Sequence, residues 1–355
     1  MNTTELKKLP LDKDIETKII LKKLASAHRA LAELKGVVST IPNENILINT
    51  LGLQEAKDSS AIENIITTQD DIYKAELNLD GFKSLNAKEV QNYISALKKG
   101  FSLITQKGIL TNNDIIQIQS ELEKNNAGFR KVPETALKNA TTGEVIYTPP
   151  QDYETILDLM KNLEQFINDN PVSDFDPLVK MAIIHYQFES IHPFYDGNGR
   201  TGRIINVLYL VMNRLLDLPI LYLSRYIIEN KGNYYKFLQE VRETGNWEDW
   251  ILYMLNAVEQ ISKETLVLIG EIKKLMAEYK NILRNDYKFY SHELLNNLFK
   301  HPYTKIEFLE NDLGVSRITA SKYLNKLAKD GLLRKEKLGT GNYYINERLT
   351  EILKK

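Results

Sequence analysis

The sequence contains no cysteine among its 355 residues. Disulfide bonds, thiolate nucleophiles and zinc sites with thiolate ligands are therefore excluded, and a bound metal ion would need oxygen or imidazole ligands. Long apolar runs are also missing, since no segment approaches the length that spans a bilayer. No apolar stretch follows the lysines near the N-terminus, as a secretory signal would require. These features predict a cytoplasmic protein without a membrane partner.

Neither positive nor negative charge predominates in the chain as a whole, whose formal net charge is -1. The charge is nevertheless uneven, because residues 291–355 contain 12 Lys and Arg but only 8 Asp and Glu. This segment therefore has a charge of +4, and the rest of the chain about -5. The overall composition, 43% hydrophobic and 26% charged, is typical of a folded globular protein, and the length predicts about two or three domains.

Strand signals are scarce, and helical periodicity dominates. Apolar residues recur every three or four positions in most segments, as at Ile156, Met160 and Leu163. Turn and strand patterns are concentrated around residues 128–150 and 331–345. The sequence therefore predicts a mainly α-helical fold with a small β-hairpin near the middle.

Pattern changes along the chain divide it into four parts. We expect an N-terminal helical region over residues 1–104, a central helical domain over 105–265, a linking helix over 266–289 and a last domain over 290–355. In the last domain, three helical patterns precede a strand-turn-strand pattern. This order is typical of a winged helix-turn-helix.

The segment HPFYDGNGRTGR, residues 192–203, separates two strongly apolar helical patterns. Burying so many polar groups without partners costs about 1 to 3 kcal/mol for each, so a ligand is a natural partner. Gly197, Gly199 and Gly202 allow a close backbone approach, and the following helix offers unpaired N–H groups. Arg200 and Arg203 add forked cationic donors that suit phosphate oxygens. The pattern predicts a site for a nucleoside polyphosphate.

Two further side chains of this segment suit group transfer to a hydroxyl. His192 has an ordinary pKa near 6.5 and can accept a proton at neutral pH. Asp196 offers the hard oxygen that Mg²⁺ prefers. His185 and Glu189 share one helix face, but without a third ligand they are better interpreted as packing residues.

These residues resemble a known family, because HPFYDGNGRTGR fits the Fic pattern HxFx(D/E)GNGRxxR at every specified position. The segment GFRKVPETALKNATTGEVIYTPP resembles the family's target-positioning flap, and residues 218–251 resemble its downstream region. The resemblance covers about residues 105–260. It implies a Fic-type helical bundle with a β-hairpin flap, and an enzyme that transfers AMP from ATP to a protein hydroxyl with Mg²⁺.

The resemblance also assigns roles to individual residues. His192 would be the general base and Asp196 the Mg²⁺ ligand, while Val145, Ile146 and Tyr147 of the flap would dock the target. The residues that would bind the nucleotide are Asp196, Gly197, Asn198, Gly199, Arg200, Thr201, Gly202, Arg203, Tyr234 and Tyr235. Tyr234 and Tyr235 would lie near the adenine, although Arg242 stands where some relatives have Asn. Gly199 favours AMP transfer, since members that use the reverse nucleotide orientation tend to have Lys there.

A second pattern lies far upstream, where Ser59 to Asn64 fits the family's inhibitory motif (S/T)xxxE(G/N). By itself this pattern is also typical of an ordinary helix start. Beside a Fic motif it implies that Glu63 pairs with Arg203 and keeps the γ-phosphate of ATP out of a productive position. Ser59, Glu63 and Asn64 are thus expected to make the enzyme self-inhibited.

Several alternatives remain open from the sequence. The target would be a Ser, Thr or Tyr hydroxyl of another protein or of the enzyme itself. In the alternative reaction, the same site would remove AMP, with Glu63 orienting a water molecule. A different class of function is a DNA-binding regulator that senses nucleotides without turnover, although an intact His192 argues against it. The winged helix is expected to bind either DNA or protein, and the sequence leaves open whether the chain is a monomer or a homodimer.

Overall fold

The computed structural model describes residues 6–76, 84–133, 135–138, 142–169, 173–338 and 341–354. The N-terminal region folds into helices, which are α1 (Lys18–Val38), α2 (Glu44–Ile62), α3 (Gln69–Glu76) and α4 (Leu85–Lys107). The side chains of Thr17, Asn43 and Ser84 accept hydrogen bonds from the first turns of α1, α2 and α4. Such caps satisfy N–H groups that have no partner inside the helix, which explains where these helices begin.

The central region contains the helices on which the glycine-rich segment lies. They are α5 (Asn112–Glu123), α6 (Tyr153–Asn168), α7 (Pro177–Ile191) and α8 (Asn198–Met212). Every residue of α7 from Leu178 to Ile191 is buried, and α8 is buried from Arg200 to Leu210. A helix surrounded by protein needs apolar residues on all of its faces. The pair α7 and α8 therefore forms the centre of the core, and the segment between them is held by it.

A two-stranded antiparallel hairpin lies between α5 and α6. Its strands are β1 (Leu137–Lys138) and β2 (Val145–Tyr147), with Leu137 opposite Tyr147 and an irregularity in the register at Leu137. The hairpin confirms the strand signals that the sequence shows between residues 128 and 150. Part of the predicted flap sequence, residues 134 and 139–141, lies outside the described residues.

Two short helices lead from α8 into the longest helix of the fold. They are α9 (Ser224–Glu229) and α10 (Lys231–Thr244), and they are followed by α11 (Glu248–Asp286), which has 39 residues. The expected linking helix at 266–289 is the second half of α11, because Thr265 and Leu266 continue the helix without a break. At 1.5 Å per residue, α11 is about 58 Å long, and α1 packs along it. No helix in the described ranges is both long and apolar enough to cross a membrane.

The C-terminal domain alternates helices with short strands. Its elements are α12 (His292–Lys300), β3 (Tyr303–Lys305), α13 (Ile306–Leu313), α14 (Arg317–Lys329), β4 (Arg334–Leu338), β5 (Gly341–Ile345) and α15 (Glu347–Lys354). The strands form an antiparallel sheet in the order β3-β5-β4. This arrangement is typical of a winged helix, as the sequence predicts. The short strand β3 and the final helix α15 are additions that the sequence pattern did not indicate.

The C-terminal domain lies directly against helices α2 and α3. The rings of Tyr73 and Tyr303 stack with centroids 4.8 Å apart, and both side chains are buried. Gln54 of α2 donates a hydrogen bond from its side-chain amide to the carbonyl of Leu353 in α15. Helix α12 also packs against α2. The helix that carries the expected inhibitory motif is therefore in contact with both the central region and the C-terminal domain.

Candidate active site

The segment between α7 and α8 is fixed by a buried arginine that the sequence analysis did not single out. Arg130 donates from its backbone N–H to the carbonyl of Pro193 and from Nε to the carbonyl of His192, both at 2.8 Å. Its guanidinium also donates to the carbonyl of Pro150 at the far end of the flap. Arg130 therefore ties the flap region to the loop that carries His192. Its only sequence signal is that it lies inside the flap-like segment.

His192 ends helix α7 in a left-handed conformation, with φ of +49°. Its backbone N–H donates to the carbonyl of Phe188 at 2.9 Å, which closes the helix and turns the chain toward α8. Burial and, to a smaller extent, the nearby charge of Arg130 together lower the pKa of the His192 ring to about 4. The ring is therefore neutral at physiological pH and able to accept a proton.

Asn198 fixes the shape of the turn with its side chain. Its Oδ1 accepts from the Phe194 N–H at 2.8 Å, and its Nδ2 donates to the Phe194 carbonyl at 2.9 Å. Both polar ends of the buried amide are thus used within the loop. The side chain of Asn198 therefore shapes the turn between α7 and α8. Only its backbone N–H is left for the expected role in phosphate binding.

Helix α8 begins without a side-chain cap. The residue before it, Gly197, has φ of +76°, a conformation that residues with a Cβ rarely adopt. The N–H groups of the first turn therefore have no side-chain acceptor, and the helix dipole favours an anion at this end. Asp196 lies just before the turn, where its Oδ1 accepts from the Gly197 N–H at 2.6 Å, and 77% of its side-chain surface is exposed.

The two arginines of α8 have different surroundings. The buried guanidinium of Arg200 contacts Glu89 at 3.0 Å and Glu123 at 2.9 Å, and it lies 3.8 Å from Asp196. Arg200 is therefore already neutralised by carboxylates from α4 and α5. No sequence pattern marks Glu89 and Glu123 as neighbours of the candidate site, since they lie on helices far from the motif.

Arg203 instead contacts the end of α2. Its Nε donates to Ser59 Oγ at 2.7 Å, and its Nη2 donates to the Ser59 carbonyl at 2.9 Å and to Glu63 Oε1 at 2.8 Å. Burial alone would raise the pKa of Glu63, but the charge and hydrogen bond of Arg203, with the charges of Arg200 and Lys231, together outweigh it and hold the pKa below its usual value. The spatial pairing of Ser59 and Glu63 with Arg203 is thus the one that the sequence motifs imply.

The carboxylate of Glu63 lies over the first turn of α8. A Cβ added at Gly199 would come within 2.3 Å of Glu63 Oε1 and 3.0 Å of Arg203 Nη1. Glycine at this position therefore allows the carboxylate to approach the helix backbone. Glu63 is the C-cap of α2, and the next residue, Asn64, has φ of +63°, which turns the chain away from the helix. The acidic group thus occupies the place where the uncapped helix would hold an anion.

A second buried carboxyl holds α2 in this position. Glu55 accepts from Tyr93 Oη at 3.0 Å and from Ser224 Oγ at 2.5 Å, which joins α2 to α4 and α9. Burial raises the pKa of Glu55 to about 7, although the Ser224 hydrogen bond opposes this. At the end of α2, Lys231 donates to the carbonyl of Ile62 at 2.6 Å.

Thr201 and Gly202 face the protein interior rather than the mouth of the site. Thr201 is fully buried. A Cβ at Gly202 would lie 2.8 Å from Glu189 Oε1 and 3.1 Å from the Phe188 ring, so glycine is needed for the packing of α8 against α7. Burial raises the pKa of Glu189 to about 7.

His185, Tyr234 and Tyr235 line the bottom of the site. The ring of His185 contacts Tyr234 Oη at 2.9 Å and the Asn206 amide at 3.0 Å, and burial lowers its pKa to about 3. His185 is therefore a neutral packing residue. Tyr234 is buried beside it, whereas 47% of Tyr235 is exposed. Of the two tyrosines expected near an adenine, Tyr235 is the one with an open face.

The flap lies on the other side of His192. Tyr147 Oη donates to the Ser190 carbonyl at 2.8 Å, and the guanidinium of Arg242 lies 3.9 Å from the centroid of the Tyr147 ring. Val145 is half-buried, and 48% of Ile146 is exposed. A cleft of about 730 Å³ separates β2 from residues 6–13 and the end of α10. The flap is thus anchored next to His192 and borders a cleft open to another molecule.

Sequence comparisons match the three main regions of the chain. Residues 21–102 match the model described as Fic/DOC family N-terminal, and residues 109–210 match Fic/DOC family. Residues 275–349 match the model described as protein adenylyltransferase SoFic-like, C-terminal domain. These matches together extend over most of the chain.

Curated relatives match only part of the sequence. Protein adenylyltransferase fic-1 from Caenorhabditis elegans is 31% identical over 105 residues, which are 30% of this chain and 19% of that protein. Protein adenylyltransferase Fic from Drosophila erecta is 31% identical over 117 residues, which are 32% of this chain and 21% of that protein. The matched region thus covers about a fifth of the length of these relatives.

Solved structures share the fold. A Fic family protein from Desulfovibrio desulfuricans G20 superposes with a TM-score of 0.62 at 19% identity and covers 95% of this chain and 98% of that one. Residues 134–508 of Fic-1 from Caenorhabditis elegans superpose with a TM-score of 0.55 at 20% identity, covering 71% of this chain and 74% of that one. With the loop geometry and the three family matches, these similarities lead to one conclusion: the chain belongs to the Fic/DOC family.

Proposed function

We propose that the chain is a protein adenylyltransferase, which transfers AMP from ATP to the hydroxyl group of a Ser, Thr or Tyr side chain. The observation that carries this proposal is the uncapped N-terminus of α8, which lies next to Arg203 and directly follows the loop of the neutral His192. The helix end and the arginine suit phosphate oxygens, and the imidazole suits a hydroxyl proton. The names of the curated relatives support the same activity.

In the proposed reaction, the target hydroxyl oxygen attacks the α-phosphorus of ATP. A bond forms between that oxygen and the phosphorus, the bond to the β-phosphate oxygen breaks, and pyrophosphate leaves. The hydroxyl proton passes to the ring of His192. The backbone N–H groups of Gly199 and its neighbours stabilise the negative charge that grows on the phosphate oxygens. Anchored by Arg130 and Asn198, the loop holds these groups in place before the substrate binds.

Asp196 fits the role of the Mg²⁺ ligand. Its carboxylate is largely exposed and lies at the edge of the uncapped turn, where the phosphates would enter. Within the described part of the chain, no three His, Asp or Glu side chains form a metal cage. Nucleotide-bound Mg²⁺ commonly takes one or two protein carboxylates and completes its shell with phosphate oxygens and water. When bound, the ion would neutralise phosphate charge and favour release of pyrophosphate.

The flap would position the target. The cleft beside β2 is bordered by the exposed Ile146 and by Tyr147, whose hydroxyl group is bonded to the loop next to His192. An extended target segment in this cleft would bring a side-chain hydroxyl toward the base. A second molecule of the same chain is one such target, so self-modification is part of the proposal.

In its present conformation the proposed enzyme is self-inhibited by Glu63. The carboxylate neutralises Arg203 and occupies space above Gly199, so it competes with a phosphate for the same donors. A polyphosphate that binds productively would have to displace it. Anionic repulsion between Glu63 and the γ-phosphate would add to this barrier.

Removal of AMP from a modified protein is a second candidate for the same site. The position of Glu63 favours this reaction. Its side chain is 37% exposed and faces the first turn of α8, where it would orient a water molecule. Hydrolysis would then depend on Glu63, whereas AMP addition would be restrained by it. The opposite dependence on one residue separates the two reactions.

The test uses ATP labelled at the α-phosphate and Glu63→Gly as the principal variant. We expect this variant to incorporate more label into protein than the parent chain, including into itself, and to release pyrophosphate. The double variant Glu63→Gly, His192→Ala is the matched control and should incorporate none. A Glu63→Gly variant that binds Mg-ATP in calorimetry but leaves every protein unlabelled would favour the nucleotide-sensing alternative. Loss of AMP from premodified protein only when Glu63 is present would favour AMP removal.

A further inference from the structure

Helix α14 carries only positive charges. Its sequence, RITASKYLNKLAK, includes Arg317, Lys322, Lys326 and Lys329 and no acidic residue. The eight acidic residues of segment 291–355 all lie on other elements or in connections, mainly on α12, α13 and α15. Although the net charge of this segment is only +4, its positive and negative residues are concentrated on different elements. The positive part is concentrated on one helix and on the neighbouring strand β4.

The outer face of α14 is open to solvent. Arg317, Ile318, Lys322 and Asn325 are all exposed, and their spacing places them on one side of the helix. The exposed fraction of Ile318 is 82%, which is unusual for an isoleucine near a helix start. Its burial would be favourable in a complex. The exposed face thus combines cations, an amide and one apolar contact.

Most of these cations are not neutralised by the protein. Lys326 pairs with Asp330 at 2.9 Å, and Arg334 of β4 pairs with Glu336 and Glu347. For Arg317, Lys322, Lys329 and Lys337, the described residues provide no ion pair. Lysines without carboxylate partners can bind phosphates without first breaking an internal contact.

The helix is held rigidly in this orientation. The Tyr323 ring stacks on Phe289 with centroids 4.0 Å apart and an interplanar angle of 6°. At the other end of α14, Asp330 accepts a hydrogen bond from Tyr287 Oη at 2.7 Å, and Asn325 accepts from Tyr344 Oη at 3.1 Å. Because α14 is fixed to the connection after α11 and to β5, little conformational entropy is lost when its outer face is covered.

We propose that α14 and the hairpin β4-β5 form a binding surface for double-stranded DNA. The major groove of B-form DNA is about 12 Å wide and accepts one α-helix. With α14 in the groove, its N-terminal residues Arg317, Ile318 and Lys322 face the base edges, as in other helix-turn-helix proteins. Lys329 and the wing residues Lys335 and Lys337 face the phosphates. Ile318 is placed to contact a thymine methyl group.

The charge distribution favours DNA over a protein partner. Protein interfaces bury apolar centres from which lysine is depleted, whereas the surface of α14 and β4 has one exposed isoleucine among four cations that form no ion pair with the described residues. The domain also presents α12 and α15 elsewhere, because α12 contacts α2 and α15 contacts α11. Those faces are already covered within the chain. Of the two helices of the domain that stay open, α13 carries Glu307, Glu310 and Asp312, whereas α14 carries only cations.

The experiment measures binding of the full chain to a fluorescent random-sequence B-form duplex by anisotropy, without ATP, over a series of KCl concentrations. We expect the logarithm of the affinity to fall linearly with the logarithm of salt concentration, with a slope of about -0.9 for each phosphate neutralised. Each of Arg317→Glu and Lys322→Glu should weaken binding at least tenfold and lower the magnitude of the slope by about one or more. Lys354→Glu, which makes the same charge change on α15, should bind like the parent chain.

Thermal unfolding and labelled-ATP incorporation in the Glu63→Gly background verify that the variants are folded. The proposal is overturned if duplex binding is absent, if it is independent of salt, or if Lys354→Glu weakens it as much as Lys322→Glu. Equal or tighter binding of single-stranded DNA would overturn docking in the groove. Self-association of the chain that is lost in Lys322→Glu without any duplex binding would assign the surface to a protein partner instead.

Discussion

Arg203 Nη2 lies 2.8 Å from Glu63 Oε1, although 140 residues separate the two along the chain. The same guanidinium holds both the hydroxyl and the carbonyl oxygen of Ser59, so the end of α2 satisfies three of its hydrogen bonds. Three donors of the arginine that the proposed function assigns to phosphate are thus already used by the protein itself. Activation in the proposed mechanism must replace these bonds with those of a nucleotide.

Ser59 offers a graded test of this contact. Ser59→Ala removes the acceptor of Arg203 Nε and leaves a buried donor unpaired, which should lower the free energy of unfolding by about 1 to 3 kcal/mol. We expect AMP incorporation to rise, but less than in Glu63→Gly, because the carboxylate remains. Urea unfolding and incorporation of labelled AMP measure the two effects.

Ser60→Ala is the control for this variant. The Ser60 hydroxyl is equally buried, but among the described residues it has no hydrogen-bond partner. Its removal should leave the incorporation rate unchanged. Equal rates for Ser59→Ala and the parent chain would show that the hydroxyl does not contribute to inhibition.

The pKa of His192 predicts an unusual pH dependence. Because burial lowers the pKa to about 4, the ring stays unprotonated and competent as a base well below its ordinary pKa near 6.5. In Glu63→Gly at saturating Mg-ATP, the acid limb of the rate that depends on His192 should lie near pH 4. An NMR titration, with the His192 signal identified by its loss in His192→Ala, measures the same value directly. A midpoint near 6.5 would contradict the burial of the ring.

The same shift affects stability. The unfolded chain binds a proton at His192 near pH 6.5, whereas the folded chain resists protonation down to about pH 4. Folding is therefore favoured less as the pH falls through this interval. His185 acts in the same direction, since its pKa is lowered to about 3.

Arg200 is expected to matter for stability as well as for nucleotide binding. It is buried between Glu89 and Glu123, and the latter is itself largely covered. Arg200→Ala would leave a buried carboxylate without its cation, which costs about 3 to 5 kcal/mol. Arg334→Ala is the matched control, because its pairs are exposed and should contribute at most about 1 kcal/mol. Comparable losses in urea unfolding for the two variants would contradict the structural role of Arg200.

Substitution of Arg242 tests whether this residue supports the flap or binds the nucleoside. Its guanidinium stacks on Tyr147 at 3.9 Å, and such contacts contribute about 0.5 to 2 kcal/mol. In the Glu63→Gly background, Arg242→Ala should raise the KM for a protein target severalfold and leave the Kd for Mg-ATP unchanged. Lys236→Ala, an exposed cation on the same helix, serves as the control. A change confined to the Kd for Mg-ATP would instead place Arg242 in the nucleoside pocket.

The sequence predicted much of the fold because the main signals are local. Apolar periodicity and capping residues indicated the helices, and the turn residues around Gly143 indicated the hairpin. The domain boundary expected near residue 265 lies inside a helix, since nothing in Thr265 or Leu266 ends a helix and α11 continues through both. The strand β3 was missed because three residues carry too little periodicity, and its pairing with β5 is a tertiary contact.

The loop of the candidate site was selected from its sequence motif, and the structure adds the contacts that its side chains make. Asn198 uses its amide to fix the turn, and Tyr234 is buried under the site, so neither side chain is open to a nucleotide. Arg130, Glu89 and Glu123 hold the loop and its arginine, yet no local pattern marks them. Their roles depend on distances across helices, which a single sequence does not encode in readable form.

By itself, the sequence determined the chemical content of the site: an imidazole, an exposed carboxylate, two arginines and glycines spaced to open a helix N-terminus. These are properties of residue type and short-range spacing. Only the tertiary structure decided how each group is used, because hydrogen bonds and burial depend on neighbours that are distant in the chain. The packing of α2 against α8 joins Glu63 to Arg203, and the stacking of Tyr323 on Phe289 fixes α14 with one cationic face exposed.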